Sequence, residues 1–354
     1  MISHTQHTVG IVADDLTSAA DGAGPFVCRG LPAIVGRGQL PDLAGRIVAV
    51  DSGSRSAAMP QARERVAGLI EQLAPRDVLL KTVDSTLRGH VTAELESAFK
   101  ASGRKMLVFA PAFPAAGRTT VSGVQLVGGV PVSQTVYGRD PVHPVRNSRL
   151  IEFVPPSVSN VIILDAMTQD DLDTQVAALR HPESILWAGS PGMALALAKR
   201  LVPRATSSKT SVAACSDILI VVGSANPLSH RQADRVAQAA TVTILRAPTE
   251  RADNSAFVLR DIAQDAVEQL RGDRFHVLIA TGGDTMEAIL DGLGIHTFEI
   301  LQELEPGFPL GRAFLEGRCE LLIAMKAGGF GDGDTLRRAI AQLHQVPQLA
   351  RPLS

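Results

Sequence analysis

The chain is expected to fold as two α/β domains with mostly parallel sheets, with the ligand site in the cleft between them. Its 354 residues are too many for one comfortable core. Short β-rich runs alternate with helical patterns almost throughout, which calls for a parallel sheet covered on both faces. A small, polar, nearly featureless stretch, PRATSSKTSVAACS at 203–216, interrupts that alternation and reads as a linker. The expected division is 1–205 and 206–354.

In the first part HTVGIVADD, LPAIVG, RIVAVDS, DVLLKTVDS, KMLVFAPA and NVIILDA read as strands. Between them MPQARERVAGLIEQLA and VTAELESAFKASG carry apolar residues at helical spacing. PVSQTVYGRDPVHPVRNS is proline-rich and unperiodic, an ordered excursion rather than a strand. DDLDTQVAALRHP (helix), SILWAGS (strand) and GMALALAKRLV (helix) complete the first part. Beyond the linker come DILIVVGS, a helix through SHRQADRVAQAA, TVTILRA, a long helix near FVLRDIAQDAVEQLRG, FHVLIATGG and ELLIAMKAGG.

Composition removes several classes. The apolar fraction is 45% and the net charge −2, without any block of like charges, so a nucleic-acid partner lacks its basic footprint. No apolar run approaches the roughly 20 residues of a membrane span. The N-terminus, MISHTQHTVGIVADD, lacks a basic region followed by an apolar one, so no signal peptide is expected and the chain reads as cytoplasmic. The three cysteines, Cys28, Cys215 and Cys319, form no CxxC pair and read as reduced core fillers. The nine histidines are scattered and no H-E-x-x-H occurs, so a structural transition-metal site is not expected. G-x-x-x-x-G-K-[ST] and a strand-borne G-x-G-x-x-G are both absent, which argues against a P-loop enzyme and a dinucleotide-binding oxidoreductase.

In open α/β sheets ligands bind beyond the carboxyl ends of the strands, and the polar clusters fall there. ADDLTSAADGA follows the first strand, DSGSRS the third and KTVDSTLRGH the fourth. Asp14 and Asp15 suit either an N-cap or substrate hydroxyls and a cation. Arg55 suits a solvated surface or a bidentate grip on a carboxylate. Lys81, Asp84, Ser85, Thr86 and Arg88 supply cations, a carboxylate and hydroxyls, an inventory that suits a small polyhydroxy acid. The plainer alternative is a helix capped by Ser85 or Thr86. Three such loops on one rim favour a site. PAFPAAGRTTVSGVQLVGGVPVSQT reads as an irregular loop or a hairpin, and Arg118 and Thr119 rank lower as contacts.

A second set is glycine-rich. Gly223 and Ser224, then Gly282, Gly283, Asp284 and Thr285, then Lys326, Gly328, Gly329 and Gly331 each follow an apolar strand and precede a helix. Glycine lets backbone amides approach a phosphate, and a helix N-terminus adds a favourable dipole. Three such turns in one domain point to a nucleotide or phosphate site.

Taken in order, IVADDLTSAADGA, DSGSR, KTVDSTLRGH, PAFPAAGRTT, RDPVHPV, WAGSPGMA, VVGSANPLSHRQ, TGGDTMEAI and MKAGGFGDGDTL resemble the four-carbon acid sugar kinases over nearly the whole chain. The form of the central motif is closer to D-threonate kinases than to 3-oxo-tetronate kinases. The resemblance implies an acid-sugar-binding N-terminal domain and an ATP-binding C-terminal one. It implies substrate contacts at Asp14 or Asp15, Arg55 and Lys81 through Arg88, Leu87 included. ATP contacts are implied at Ser224, Gly282, Gly283, Asp284, Thr285 and Gly328.

The implied reaction is ATP- and Mg²⁺-dependent phosphorylation of a terminal hydroxyl, with Asp14, Asp15 or Asp84 as base and Mg²⁺ held by phosphates and by Asp284 or Thr285. The expected partners are a sugar acid such as D-threonate or D-erythronate, ATP, and a second copy of the chain in a homodimer. The chain departs from the family in a reduced C-terminal domain and in Ala327, where a serine is usual. Those departures motivate an alternative, a sugar-acid and nucleotide sensor that has lost transfer; a nicotinamide-dependent oxidoreductase is the remaining one.

Overall fold

The computed structural model describes residues 7–41, 45–203, 217–248, 255–272, 274–315 and 320–344. By contacts the chain divides into two units, Met1–Ser207 and Ser208–Ser354. Of the expected linker, residues 204–216 lie outside the described residues.

The first unit alternates strand and helix: β1 (Val9–Ala13), α1 (Leu16–Val27), β2 (Ala33–Arg37), β3 (Ile47–Asp51), α2 (Met59–Leu73), β4 (Val78–Thr82), α3 (Val91–Ser102) and β5 (Met106–Ala110). A small antiparallel sheet follows, β6 (Arg118–Val121), β7 (Val124–Val127) and β8 (Val130–Pro131), then β9 (Val161–Ile163), α4 (Gln169–Ala178), β10 (Ile185–Gly189) and α5 (Pro191–Leu201). The main strands run β2-β3-β1-β4-β10-β5-β9, all parallel. Every residue of β1, β3, β4 and β10 is buried, as a strand covered on both faces must be. Helix α2 shows how the helices are fixed: Ala62, Val66, Leu69, Ile70 and Leu73 form one apolar stripe, each large member contributing about 1.5–3 kcal/mol on burial. From β1 the chain passes beyond β3 to β2 on one side, then returns through β3 to reach β4 on the other side of β1, which opens a crevice at the ends of β3, β1 and β4.

The second unit repeats the plan with β11 (Ile218–Val222), α6 (Pro227–Asp234), β12 (Val242–Arg246), α7 (Ser255–Arg271), β13 (Val277–Thr281), α8 (Gly283–Leu293), β14 (Thr297–Glu305), β15 (Phe308–Ala313), β16 (Leu321–Lys326) and α9 (Thr335–His344). Its order is β12-β11-β13-β16-β15-β14, the first four parallel and the last two antiparallel. The register aligns Val222, Thr281 and Lys326 at the carboxyl ends of β11, β13 and β16.

Every expected strand forms. The β14–β15 hairpin was not anticipated; its turn, Pro306-Gly307 with Gly307 at φ 75°, is a proline–glycine type-II signature. The stretch after β5 takes the hairpin alternative, not the irregular loop. Cys28 is exposed at the end of α1, contrary to its reading as a core filler; Cys215 and Cys319 lie outside the described residues. No helix among the described residues is long and apolar enough to cross a membrane.

Candidate active site

The loops after β1, β3 and β4 meet around Arg55. Its Nε donates to Asp14 Oδ2 at 2.7 Å, one terminal nitrogen donates to Asp15, and the other lies 3.3 Å from Ser18 Oγ. Asp15 also accepts from the Ser18 amide at 2.7 Å, so the capping reading holds for Asp15, which caps α1 while facing Arg55. Asp14 is 3% exposed, and its Oδ1 is buried with no hydrogen-bond partner. A buried carboxylate oxygen without a partner is costly, and Asp14 is one of the residues that line a small hollow together with Lys81, Asp84, Arg88 and Glu94.

The KTVDSTLRGH loop folds on itself. Asp84 Oδ2 accepts from Thr86 Oγ1 and from Arg88 Nε, both at 2.7 Å, and from the Arg88 amide at 3.3 Å. The helix begins only at Val91 with His90 as cap residue, which removes the capping role from Ser85 and Thr86. Ser85 is buried, and its carbonyl accepts from the buried Gln125 of β7 at 2.7 Å. Leu87 sits at φ 62°, a left-handed conformation that costs a non-glycine residue about 1–2 kcal/mol, with its side chain pinned in the core. Gly89, at φ 91°, passes close over the aspartate; a Cβ there would stand 3.2 Å from Asp14 Oδ2.

Lys81 occupies a different role from the other loop cations. It is 1% exposed and pairs at 2.7 Å with Glu94, whose other oxygen accepts from Ser54. Its charge is neutralised by Glu94, and both residues line the hollow that Asp14 borders.

Electrostatics separates the aspartates. Burial alone would raise Asp84, but Arg88 and Arg55, with the bonds from Arg88 and Thr86, hold its carboxyl well below the usual range. Its contribution to stability is therefore present above about pH 4 and lost as pH falls. Burial dominates at Asp15; with the charge of Asp14 it outweighs Arg55 and the Ser18 amide, leaving that carboxyl above its ordinary value. The sign reverses there, and Asp15 favours the fold at low pH and less as pH rises.

The proline-rich excursion brings residues that the sequence did not single out. Tyr137 lies under the Arg88 guanidinium, 5.3 Å from ring centre to Cζ, and its hydroxyl is 3.2 Å from an Arg118 nitrogen. Asp140 approaches Arg88 at 3.9 Å. His143 Nε2 is 2.6 Å from the Arg55 carbonyl oxygen. Of the lower-ranked pair, Arg118 reaches the rim through Tyr137. Thr119 lies within β6, paired with Leu126 in the small sheet.

In the second unit the three glycine turns converge. Gly223 approaches Thr285 and Gly328 approaches Ser224 so closely that a Cβ on either would fall 2.0 Å from the hydroxyl. The Gly282 amide donates to the Lys326 carbonyl at 2.9 Å, which places the start of α8 beside the end of β16. Asp284 is exposed in the first turn of α8 and Thr285 is buried. The SANPLSHRQ segment holds the last loop: Ser229 Oγ donates to the Gly328 carbonyl at 2.8 Å, and Gln232 reaches the Phe330 and Asp332 carbonyls.

The first unit thus carries an arginine-braced acid cluster and the second a glycine cradle. Residues 9–160 match a sugar-binding N-terminal domain and 254–336 a nucleotide-binding C-terminal domain. A D-threonate kinase of Bordetella bronchiseptica is 30% identical over 405 residues, covering 95% of this chain and 98% of that protein. A D-threonate kinase of Salmonella typhimurium is 26% identical over 422 residues, with 95% and 98% covered. A crystal structure of a Salmonella typhimurium protein superposes with a TM-score of 0.78 at 18% identity, covering 95% of this chain and 99% of that one. The chain belongs to the four-carbon acid sugar kinase family.

Proposed function

We propose that the chain transfers the γ-phosphoryl group of ATP to the terminal hydroxyl of a four-carbon sugar acid, with D-threonate the favoured substrate. The observation that carries this reading is Asp14, a buried carboxylate beside the hollow at the strand ends, with one oxygen held by Arg55 and the other without a partner. A substrate hydroxyl there donates to Asp14 Oδ1 and passes its proton to it as the oxygen attacks phosphorus. Asp15 has both oxygens occupied, and Asp84 is a weak base because two arginines hold it ionised. The remaining N–H groups of Arg88, with the Arg55 nitrogen that faces only Ser18, take the carboxylate and set which end of the chain meets Asp14.

The glycine cradle of the second unit suits the phosphates of ATP, since Gly223, Gly282 and Gly328 allow a close backbone approach. Mg²⁺ fits the same place, where Asp284 is exposed and makes no ion pair among the described residues; with Thr285 and the phosphates it would hold the ion, which neutralises phosphate charge.

The reading is tested by ADP release with Mg·ATP across D-threonate, D-erythronate, L-threonate, L-erythronate and the 3-oxo acids. Turnover with a four-carbon acid is expected, D-threonate giving the highest kcat/KM. A folded protein that binds acid and nucleotide but releases no ADP would instead be a sensor. A second prediction separates the two ligands. Gly328→Ala forces Ser224 aside and raises KM for ATP by about tenfold, while KM for the acid stays within a factor of about two.

A further inference from the structure

Lys326 ends β16 with a fully buried side chain. Buried ammonium groups normally come with a carboxylate, as Lys81 does with Glu94. Among the described residues Lys326 makes no ion pair. Its Nζ donates to the Ala327 carbonyl at 3.0 Å and approaches the Gly328 carbonyl at 3.5 Å, so the charge lies against the glycine loop with only backbone dipoles for company. Glu305, the acid whose charge it senses, is already held by Thr335 and Arg338. Thr281, its neighbour in the β13–β16 register, is wholly buried and its hydroxyl has no hydrogen-bond partner. A buried cation without a counter-ion, a buried hydroxyl without a partner and the start of α8 thus converge on the strand ends where Gly328 meets Ser224. Each lacks the same thing, an anion with several acceptor oxygens.

We propose that Lys326 binds the phosphate chain of the nucleotide and that Thr281 donates to it from the adjoining strand, which makes both positioning residues for transfer. This rests on the kinase reading above and assigns its phosphate contacts. Lys is well suited as a point charge for phosphate. Burial pulls its ammonium down to about 8, opposed only by Glu305, so an arriving phosphate relieves a cost the empty loop carries.

The decisive variant is Lys326→Met, of similar length and apolar. Because it removes a buried charge with no carboxylate to orphan, its melting temperature without ligand is expected at or above that of the wild type. Calorimetric titration is expected to show ATP and ADP affinity reduced by at least about tenfold, with adenosine affinity unchanged and Lys326→Arg recovering part of the loss. ATP binding at wild-type strength in the variant would overturn the proposal, as would an equal loss for adenosine, which would make Lys326 a structural pin of the loop. A wild-type measurement stands beside it: an acyl-phosphate derivative of ATP is expected to acylate Lys326, with protection by excess ATP. Acylation elsewhere, with Lys326 untouched, would also overturn it. A wild-type protein with no affinity for ATP would fail the kinase reading itself, an outcome distinct from a normal kinase that tolerates Lys326→Met.

Discussion

Asp14→Asn is expected to lower kcat by about 10³-fold, within the range for removal of a general base, while the fold survives. The amide oxygen of asparagine still accepts the Arg55 Nε–H, and Arg55 keeps Asp15, so the brace holds. What disappears is a buried carboxylate oxygen that has no partner and can take a proton. Sugar-acid affinity, set by the arginines, should fall by less than about tenfold, so the loss appears in kcat rather than KM. Asp84→Asn should do the reverse: Arg88 loses its strongest partner, the carboxylate clamp loosens, and KM rises more than kcat falls. Steady-state ADP release on both variants decides it. If Asp14→Asn keeps more than a tenth of wild-type kcat, the base is another group, and a larger loss in Asp15→Asn would point to which.

The strands were legible because they are fully buried in a parallel sheet: VGIVA, IVAVD, ILIVV and VLIAT are unbroken apolar runs with a polar cluster at one end. Ligand sites lie beyond the carboxyl ends of such strands, which places Asp14, Arg55 and Asp84 on one rim from the sequence alone. The β14–β15 hairpin was hidden because FEILQELE mixes acid and apolar residues without clean alternation; only its Pro306-Gly307 turn signalled it. Tyr137, Asp140 and His143 were hidden for another reason. They ride an aperiodic segment whose return to the rim depends on long-range contacts, such as His143 to the Arg55 carbonyl, 88 residues apart in sequence. Glu94 left a readable trace: it occupies a place in the Val91–Leu95–Ala98 stripe of α3, where a charge belongs only if it has a partner. Once that partner is Lys81, the lysine of the central motif needs an account different from a ligand contact.

Lys81→Met is expected to destabilise the first unit by about 3–5 kcal/mol, because it leaves Glu94 charged, 3% exposed and without its counter-ion. The sole tryptophan, Trp187, is buried in β10 opposite Leu80, one residue from Lys81, so its fluorescence in a urea titration reports this unit. Adding Glu94→Gln removes the orphaned charge while keeping an acceptor for Ser54, and should restore most of the stability. The same double variant decides what Lys81 does in catalysis. A pair that only stiffens the loop under Asp84 can be replaced by a neutral pair, and KM for the acid should return to within about threefold of wild type. A lysine that leaves Glu94 to grip the substrate carboxylate cannot be replaced in that way: stability would return and KM would not. The geometry favours the first outcome, since leaving Glu94 would expose a buried carboxylate to the cost that the single variant measures.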